Sequence, residues 1–127
     1  MSEAMTRGVR VQVVAQYIPE RSTPDEDFYF FAYRVRIQNE ADVPVKLISR
    51  HWIITDGTGH VEEVRGPGVV GAQPLLEEGQ AFEYTSACPL RTPVGAMHGS
   101  FEMVSADGEI FDAEIAPFTL AIPNAIN

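Results

Sequence analysis

The sequence predicts an all-β fold, an immunoglobulin-like or fibronectin type III-like β-sandwich of two antiparallel sheets with about seven or eight strands. Apolar residues recur at every second position in several segments, which is the period of a strand with one buried face. No window of helical length carries an apolar stripe of helical period with caps at its ends. The predicted strands are short and are separated by turn-forming residues, as is typical of a sandwich.

The first two predicted strands alternate clearly and are joined by a polar connection. Val9–Tyr17 places valines on one face, and Phe28–Gln38 places aromatic and branched aliphatic residues on one face against arginine and glutamine on the other. The connection between them contains prolines, serine and aspartates, which favour turns. Met1–Thr6 precedes the first strand and is expected to fray, as chain ends commonly do.

The third predicted strand is Val45–Thr55, and the segment before it, Asn39–Pro44, is a turn. Its apolar residues change face part-way along, which predicts either a bulge near Ser49–His51 or burial of both faces. Asp56–Gly59 then predicts a hairpin turn that leads into a short strand, His60–Arg65.

The next segment, Gly66–Gly79, contains four glycines and two prolines and is predicted to be a long ordered loop. A strand over Gln80–Cys88 follows, with Phe82 and every second residue after it on one face. Pro89–Gly95 is predicted to connect this strand to the next one.

The last two predicted strands form a hairpin. Met97–Met103 alternates between apolar and polar residues, and the Asp-Gly pair at residues 107–108 predicts a two-residue type I′ turn. In the return strand the alternation changes phase after Pro117, which predicts a bend or bulge. Pro123–Asn127 is expected to fray.

Composition predicts one domain and excludes several classes of partner. A chain of 127 residues with 45% hydrophobic content suits a single domain over residues 1–127, and we expect its ordered core at about residues 8–122. The net charge of −9 argues against nucleic acid and anionic membranes as partners. No apolar run approaches the ~18–20 residues of a bilayer span. One cysteine, Cys88, and no leader-like first segment predict a cytoplasmic protein without disulfides.

The charge is unevenly distributed along the chain. Residues 1–65 contain eight basic and ten acidic residues, whereas residues 66–127 contain one basic residue, Arg91, and eight acidic ones. An anion would therefore bind locally, against the electrostatic field of the rest of the domain. For this reason we expect a protein partner and rank an anionic ligand below it.

A glycine string at residues 66–71 matches the G-x-G-x-x-G pattern of dinucleotide-binding folds. That mechanism needs a helix directly after the string, and a nearby proline and a further glycine leave no room for one. Two interpretations stay open. Loop amides at Gly66, Gly68 and Gly71 could form an anion-binding nest beside Arg65, or the glycines could serve positive φ angles and close backbone packing, which we favour.

Patterns for catalysis and for metal binding are weak. The three histidines show no metal-ligand spacing, and Asp56, Glu62 and Glu63 at the hairpin could attract a hard cation or be ordinary surface acids. Cys88 stands in no recognised nucleophile context, and the chain has no G-x-S-x-G elbow. We therefore expect a non-enzyme with no cofactor, and we assign no metal ligands.

Several long segments, in fixed order, carry a resemblance to a known family. They are Ser49–Asp56, Val64–Pro74, Phe82–Ser86 and Thr92–Met103. Through them the chain closely resembles the bacterial ApaG family over nearly its whole length.

The resemblance implies a fibronectin type III-like β-sandwich and no catalytic residues. It also implies a phosphate-binding role for the glycine string, at Gly66, Gly68 and Gly71. The family is also called CorD and is linked by that name to cobalt and magnesium resistance. Similar domains occur in eukaryotic F-box proteins and in a DNA-polymerase-delta-interacting protein, which implies use as a protein-binding module.

Two functions follow as expectations. The first is a cytosolic interaction module that binds an unidentified protein partner through an exposed sheet face or edge and the Arg65–Pro74 loop. The alternative is a small-ligand protein that holds a phosphate, a nucleotide or a divalent cation. We expect a monomer or a weak homo-oligomer, and we rank an enzyme third.

Overall fold

The structure, a computed structural model, describes residues 1–124, which form nine β-strands and two short 3₁₀ helices. In chain order the strands are β1 (Ser2–Thr6), β2 (Val9–Tyr17), β3 (Tyr29–Asn39), β4 (Val45–Asp56), β5 (Val61–Pro67), β6 (Leu75–Leu76), β7 (Ala81–Leu90), β8 (Val94–Ser105) and β9 (Ile110–Ala121). The 3₁₀ helices Pro19–Arg21 and Pro24–Glu26 lie between β2 and β3. Within residues 1–124, no helix is long and apolar enough to cross a membrane.

The strands form two antiparallel sheets, so the predicted fold class is confirmed. One sheet has the order β1-β2-β3-β7, and the other has the order β5-β4-β8-β9. The short strand β6 pairs with the first residues of β4, on the same edge that β5 occupies further along. This order leaves β7 and β5 at the ends of their sheets.

The core lies between the two sheets and is centred on Trp52. This side chain is 3% exposed. Its ring meets Tyr33 of the opposite sheet at 5.2 Å between centroids, and Phe101 and Phe118 of its own sheet at 6.2 and 6.0 Å, all in edge-to-face geometry. The alternate residues that the sequence placed on the inner faces of β2 and β3 are buried there, except Ala15, Tyr17 and Tyr29, which are partly buried and pack against the core.

The prediction that Met1–Thr6 frays is wrong. Residues 2–6 form β1, which pairs with β2 along its whole length. Arg7 and Gly8 make the two-residue turn between them, with φ angles of 50° and 83°. Positive φ at both positions is typical of a type I′ turn, where Asn-Gly or Asp-Gly is the usual sequence. Arg-Gly carries no such signal. The predicted fraying of Pro123–Asn127 falls largely on residues 125–127, which lie outside the described part of the chain.

The predicted irregularities in β4 and β9 are present. The pairing of β4 with β8 changes register between Leu47 and Ser49, next to the predicted bulge. The pairing of β8 with β9 changes register between Met97 and Gly99, opposite the segment that contains Pro117. Both shifts let a strand change the side chains that it turns toward the core.

The predicted type I′ turn at residues 107–108 is wrong. Gly108 has a φ of 86°, but Asp107 is not among the described residues with positive φ. The Gly108 N–H donates to the Ser105 carbonyl, and the Ser105 N–H donates to the Glu109 carbonyl, both at 2.9 Å. This is a three-residue turn with a glycine bulge. The Asp107 carboxylate accepts hydrogen bonds from the Ser105 hydroxyl and the Glu109 N–H, which stabilises this alternative.

Candidate functional site

The edges of the two sheets meet on two sides of the sandwich, and only one of these sides is closed. On one side β1 lies against β9, and the Glu114 N–H donates to the Thr6 hydroxyl at 3.0 Å. On the other side β5 is exposed along almost its whole length. A cleft of about 520 Å³ opens there between the two sheets, with residues of β4 and β5 on one wall and residues of β7 on the other. We call it the inter-sheet cleft.

The inter-sheet cleft has an apolar floor and a charged rim. Trp52, Val64 and Leu90 belong to the floor. The charged residues that line it are Arg50, Asp56, Glu62 and Arg91. A concave apolar surface with a few polar groups at its margin is the usual form of a binding site.

Strand register decides which side chains of β5 face the cleft. Val64 pairs with Trp52 and Glu62 pairs with Ile54, so these β5 residues share the inner face of β4. Val61 has the opposite parity and lies on the outer face of the same strand. The two exposed valines of β5 therefore face different surroundings.

Arg50 closes one end of the cleft. Its Nη1 donates hydrogen bonds of 3.0 Å to the carbonyls of Pro67 and Gly68. It pairs with Gly66 across the hairpin, and a Cβ at Gly66 would lie only 2.8 Å from the guanidinium. Gly66 therefore makes room for Arg50, which fastens the glycine string to β4. Arg50 could not be recognised from the sequence, because only strand register places it against the string.

The segment predicted as a long loop, Gly66–Gly79, is partly strand, so that prediction is wrong in part. β5 continues to Pro67, and Leu75–Leu76 forms β6 beside β4. The backbone of β4 offers free hydrogen-bonding groups along this edge, and the segment pairs with them. The predicted connection Pro89–Gly95 is likewise shorter, because β7 continues to Leu90 and β8 begins at Val94.

The glycine string has structural partners for two of its amides. The Gly68 N–H donates to the Ile48 carbonyl and the Val69 N–H donates to the Ala72 carbonyl, both at 2.8 Å. Gly68 has a φ of 60°, and a Cβ there would lie 2.3 Å from the Ala72 oxygen. These contacts support the structural interpretation of the glycines.

The predicted anion-site residues are only partly brought together. Arg65 and Gly66 line a second depression, of about 620 Å³, on the outer face of their sheet, whereas Gly68 and Gly71 do not line it. The Arg65 side chain is 70% exposed and lies 3.6 Å from Glu63. The anion-nest hypothesis stays a prediction.

Val70 occupies a strained backbone position at the tip of the string. Val69 and Ala72 exchange two backbone hydrogen bonds across a two-residue turn, with φ of 42° at Val70 and 81° at Gly71. A β-branched residue at positive φ is a rare outlier. The Val70 side chain is 62% exposed, so burial does not offset the strain.

Replacement of Val70 by asparagine is therefore expected to stabilise the protein by about 1 kcal/mol, because asparagine tolerates the first position of a type I′ turn. Urea unfolding of the variant and the parent measures the difference. Val61→Asn is the control, because Val61 is an exposed valine without positive φ and should show no gain. A loss of stability in Val70→Asn would contradict the turn assignment.

The predicted cation ligands have other roles in the structure. The Asp56 carboxylate accepts hydrogen bonds from the Thr58 hydroxyl at 2.6 Å, the Thr58 N–H at 2.8 Å and the His60 N–H at 3.1 Å. These bonds, led by the Thr58 hydroxyl, lower the pKa of Asp56. Glu62 lies 3.6 Å from His60. Within residues 1–124 no group of three or more His, Cys, Asp or Glu residues is placed to hold a metal ion.

Cys88 lines the inter-sheet cleft but is buried. Burial raises the pKa of its thiol to about 11, so it stays protonated near neutral pH. The His51 ring bonds Glu63 at 2.7 Å. Ser86 belongs to the inner face of the opposite sheet, since it pairs with Tyr33.

Comparison with known proteins shows similarity along the whole chain. The ApaG domain family model matches residues 19–105. Protein ApaG of Azoarcus sp. (strain BH72) is 51% identical over 127 residues, which is 100% of both chains. Protein ApaG of Azotobacter vinelandii is 54% identical over 119 residues, 94% of each chain.

Solved structures agree with this similarity. A crystal structure from Bordetella pertussis, described as an ApaA protein, has a TM-score of 0.89 at 53% identity and covers 91% of this chain and 94% of that chain. The C-terminal domain of wzt has a TM-score of 0.53 at 9% identity, covering 99% of this chain and 87% of that chain. The second likeness concerns the fold alone.

Proposed function

The chain belongs to the ApaG family, and from this premise we propose that it is a non-enzymatic protein-interaction module that binds its partner in the inter-sheet cleft. The observation that carries the proposal is the asymmetry of the sandwich. One side is closed by β1 and β9, and the other is open between β5 and β7. A rigid scaffold that keeps one concave apolar surface open suits recognition.

The chemistry of the cleft supports a protein partner. Val64, Ile54 and Pro89 line the cleft and are at least partly exposed, so they offer apolar contact area that stabilises a protein interface, and the charged rim offers specificity. The exposed large apolar residues on β2 and β9, Val14 and Ile110, stand outside this cleft, and isolated ones are normal on protein surfaces. A cytoplasmic setting, expected from the sequence, fits the reduced thiol of Cys88.

A selection with random linear peptides displayed on phage tests the proposal directly. Peptides selected on the immobilised full-length protein are expected to lose about tenfold in affinity for the Val64→Arg variant, because the substitution places a charge in the apolar floor. Val61→Arg carries the same change on the outer face of the same strand and should leave affinity within about twofold.

Circular dichroism would establish that both variants are folded, which we expect because Val64 is 39% and Val61 53% exposed. Selected peptides that bind the Val64→Arg variant as tightly as the parent would overturn the cleft as the binding surface. Equal losses in both folded variants would overturn it too.

A further inference from the structure

We propose that the segment that occupies the inter-sheet cleft is an extended strand that pairs with the free edge of β7 and carries a basic side chain beside an apolar one. This inference rests on the proposed function and deepens it, since it names the shape and the charge of the partner.

The free edge of β7 is the first argument. β7 is ten residues long and pairs with β3 on one side, and it is the last strand of its sheet. Its ends are protected by Glu83 and by Pro89, two residue types that discourage edge pairing. Between them, residues 85–88 contain no charge and no proline, and Ala87 and Cys88 line the cleft. The unprotected part of the edge therefore borders the cleft.

The form of the cleft is the second argument. It lies between two strands, β5 and β7, each of which ends its sheet. Among the described residues 1–124, no further strand pairs with the outer edge of either one. An added strand satisfies the backbone groups of such an edge through its own N–H and carbonyl groups, whereas a helix has already used its own. The alternate side chains of a strand beside β7 would point toward the apolar floor at Trp52 and Val64.

The charges around the cleft are the third argument. Arg50 donates to two backbone carbonyls, and the Asp56 carboxylate caps its own turn. Glu62 faces the cleft, and within residues 1–124 its ion-pair partner is His60, at 3.6 Å. Its charge also acts on the Cys88 thiol across the cleft. Arg91 also lines the cleft, but it follows the last residue of β7, whereas Glu62 acts on the stretch of the edge that contains Cys88. Because the whole chain carries a net charge of −9, a basic side chain is attracted from a distance and meets Glu62 at the rim.

Calorimetric titration of the full-length protein with a synthetic peptide tests all three arguments. The probe alternates threonine and valine, carries one arginine next to one phenylalanine, and has acetylated and amidated ends. We expect saturable binding. Methylation of alternate backbone amides should abolish it, because a methylated amide cannot pair with β7. Replacement of the arginine by glutamate should weaken binding about fivefold.

The Glu62→Lys variant provides the charge-swap control, and it should bind the glutamate peptide more tightly than the arginine peptide. Equal binding of the methylated peptide would overturn the strand pairing, and equal binding of both charge forms would overturn the charge preference. Either result, or no binding of the probe, would refute this inference while the Val64 and Val61 comparison still decides the proposed function.

Discussion

Replacement of Trp52 by alanine is expected to lower the free energy of unfolding by about 3–5 kcal/mol. Trp52 is 3% exposed and meets three aromatic rings, among them Tyr33 of the opposite sheet. Its removal leaves a cavity that two hydrogen-bonded sheets cannot close by a small movement. Since small domains are stable by only about 5–15 kcal/mol, this one change brings the protein close to unfolding.

Far-ultraviolet circular dichroism during urea unfolding is the suitable measurement, because Trp52 is the only tryptophan and its fluorescence disappears with it. Ile110→Ala is the control. Ile110 is 67% exposed, so its truncation should cost less than about 0.5 kcal/mol. A loss below about 1 kcal/mol for Trp52→Ala would mean that Trp52 does not centre the core.

Replacement of Gly68 by alanine is expected to cost about 2–4 kcal/mol. The new Cβ would lie 2.3 Å from the Ala72 oxygen, which is a backbone atom held by its bond from Val69. The alanine would also have to adopt a φ of 60°. Both effects act on the turn at the tip of the glycine string.

Gly71→Ala is the matched control for this prediction. Gly71 has a φ of 81°, but nothing lies within 4 Å of a Cβ there. The Gly71→Ala variant should therefore lose only about 1 kcal/mol of its free energy of unfolding, which is the cost of placing alanine at a positive φ. Thermal unfolding of the two variants measures the difference. Equal losses would show that close packing at Gly68 has no role, and a larger loss at Gly71 would contradict the described turn.

Much of the fold could be predicted because it depends on local patterns. The alternation in β2, β3 and β7 assigns their buried faces, since side chains of a strand alternate between its two faces. β1 was missed because its turn uses Arg-Gly in place of a typical turn pair. β6 was missed because it has two residues and exists only through its pairing with β4.

The candidate site was less predictable because it depends on contacts between distant segments. The glycine string is recognisable in the sequence as a local motif. Arg65 was assigned to the same site because it directly precedes the string. Arg50, which holds the string, stands sixteen residues before Gly66 and meets it only through the register of β4 and β5. The inter-sheet cleft follows from the order of strands, which leaves β5 and β7 as edges, and no periodicity in one segment encodes that order.

The central claim is that the open side of the sandwich is the binding surface, and backbone amide shift mapping by NMR tests it most directly. The ¹⁵N-labelled full-length protein would be titrated with one peptide from the phage selection. We predict that the largest shifts fall on β5 and β7, at residues that border the cleft such as Glu62, Val64 and Ala87. Largest shifts on β1 and β9, at the closed side, would contradict the claim.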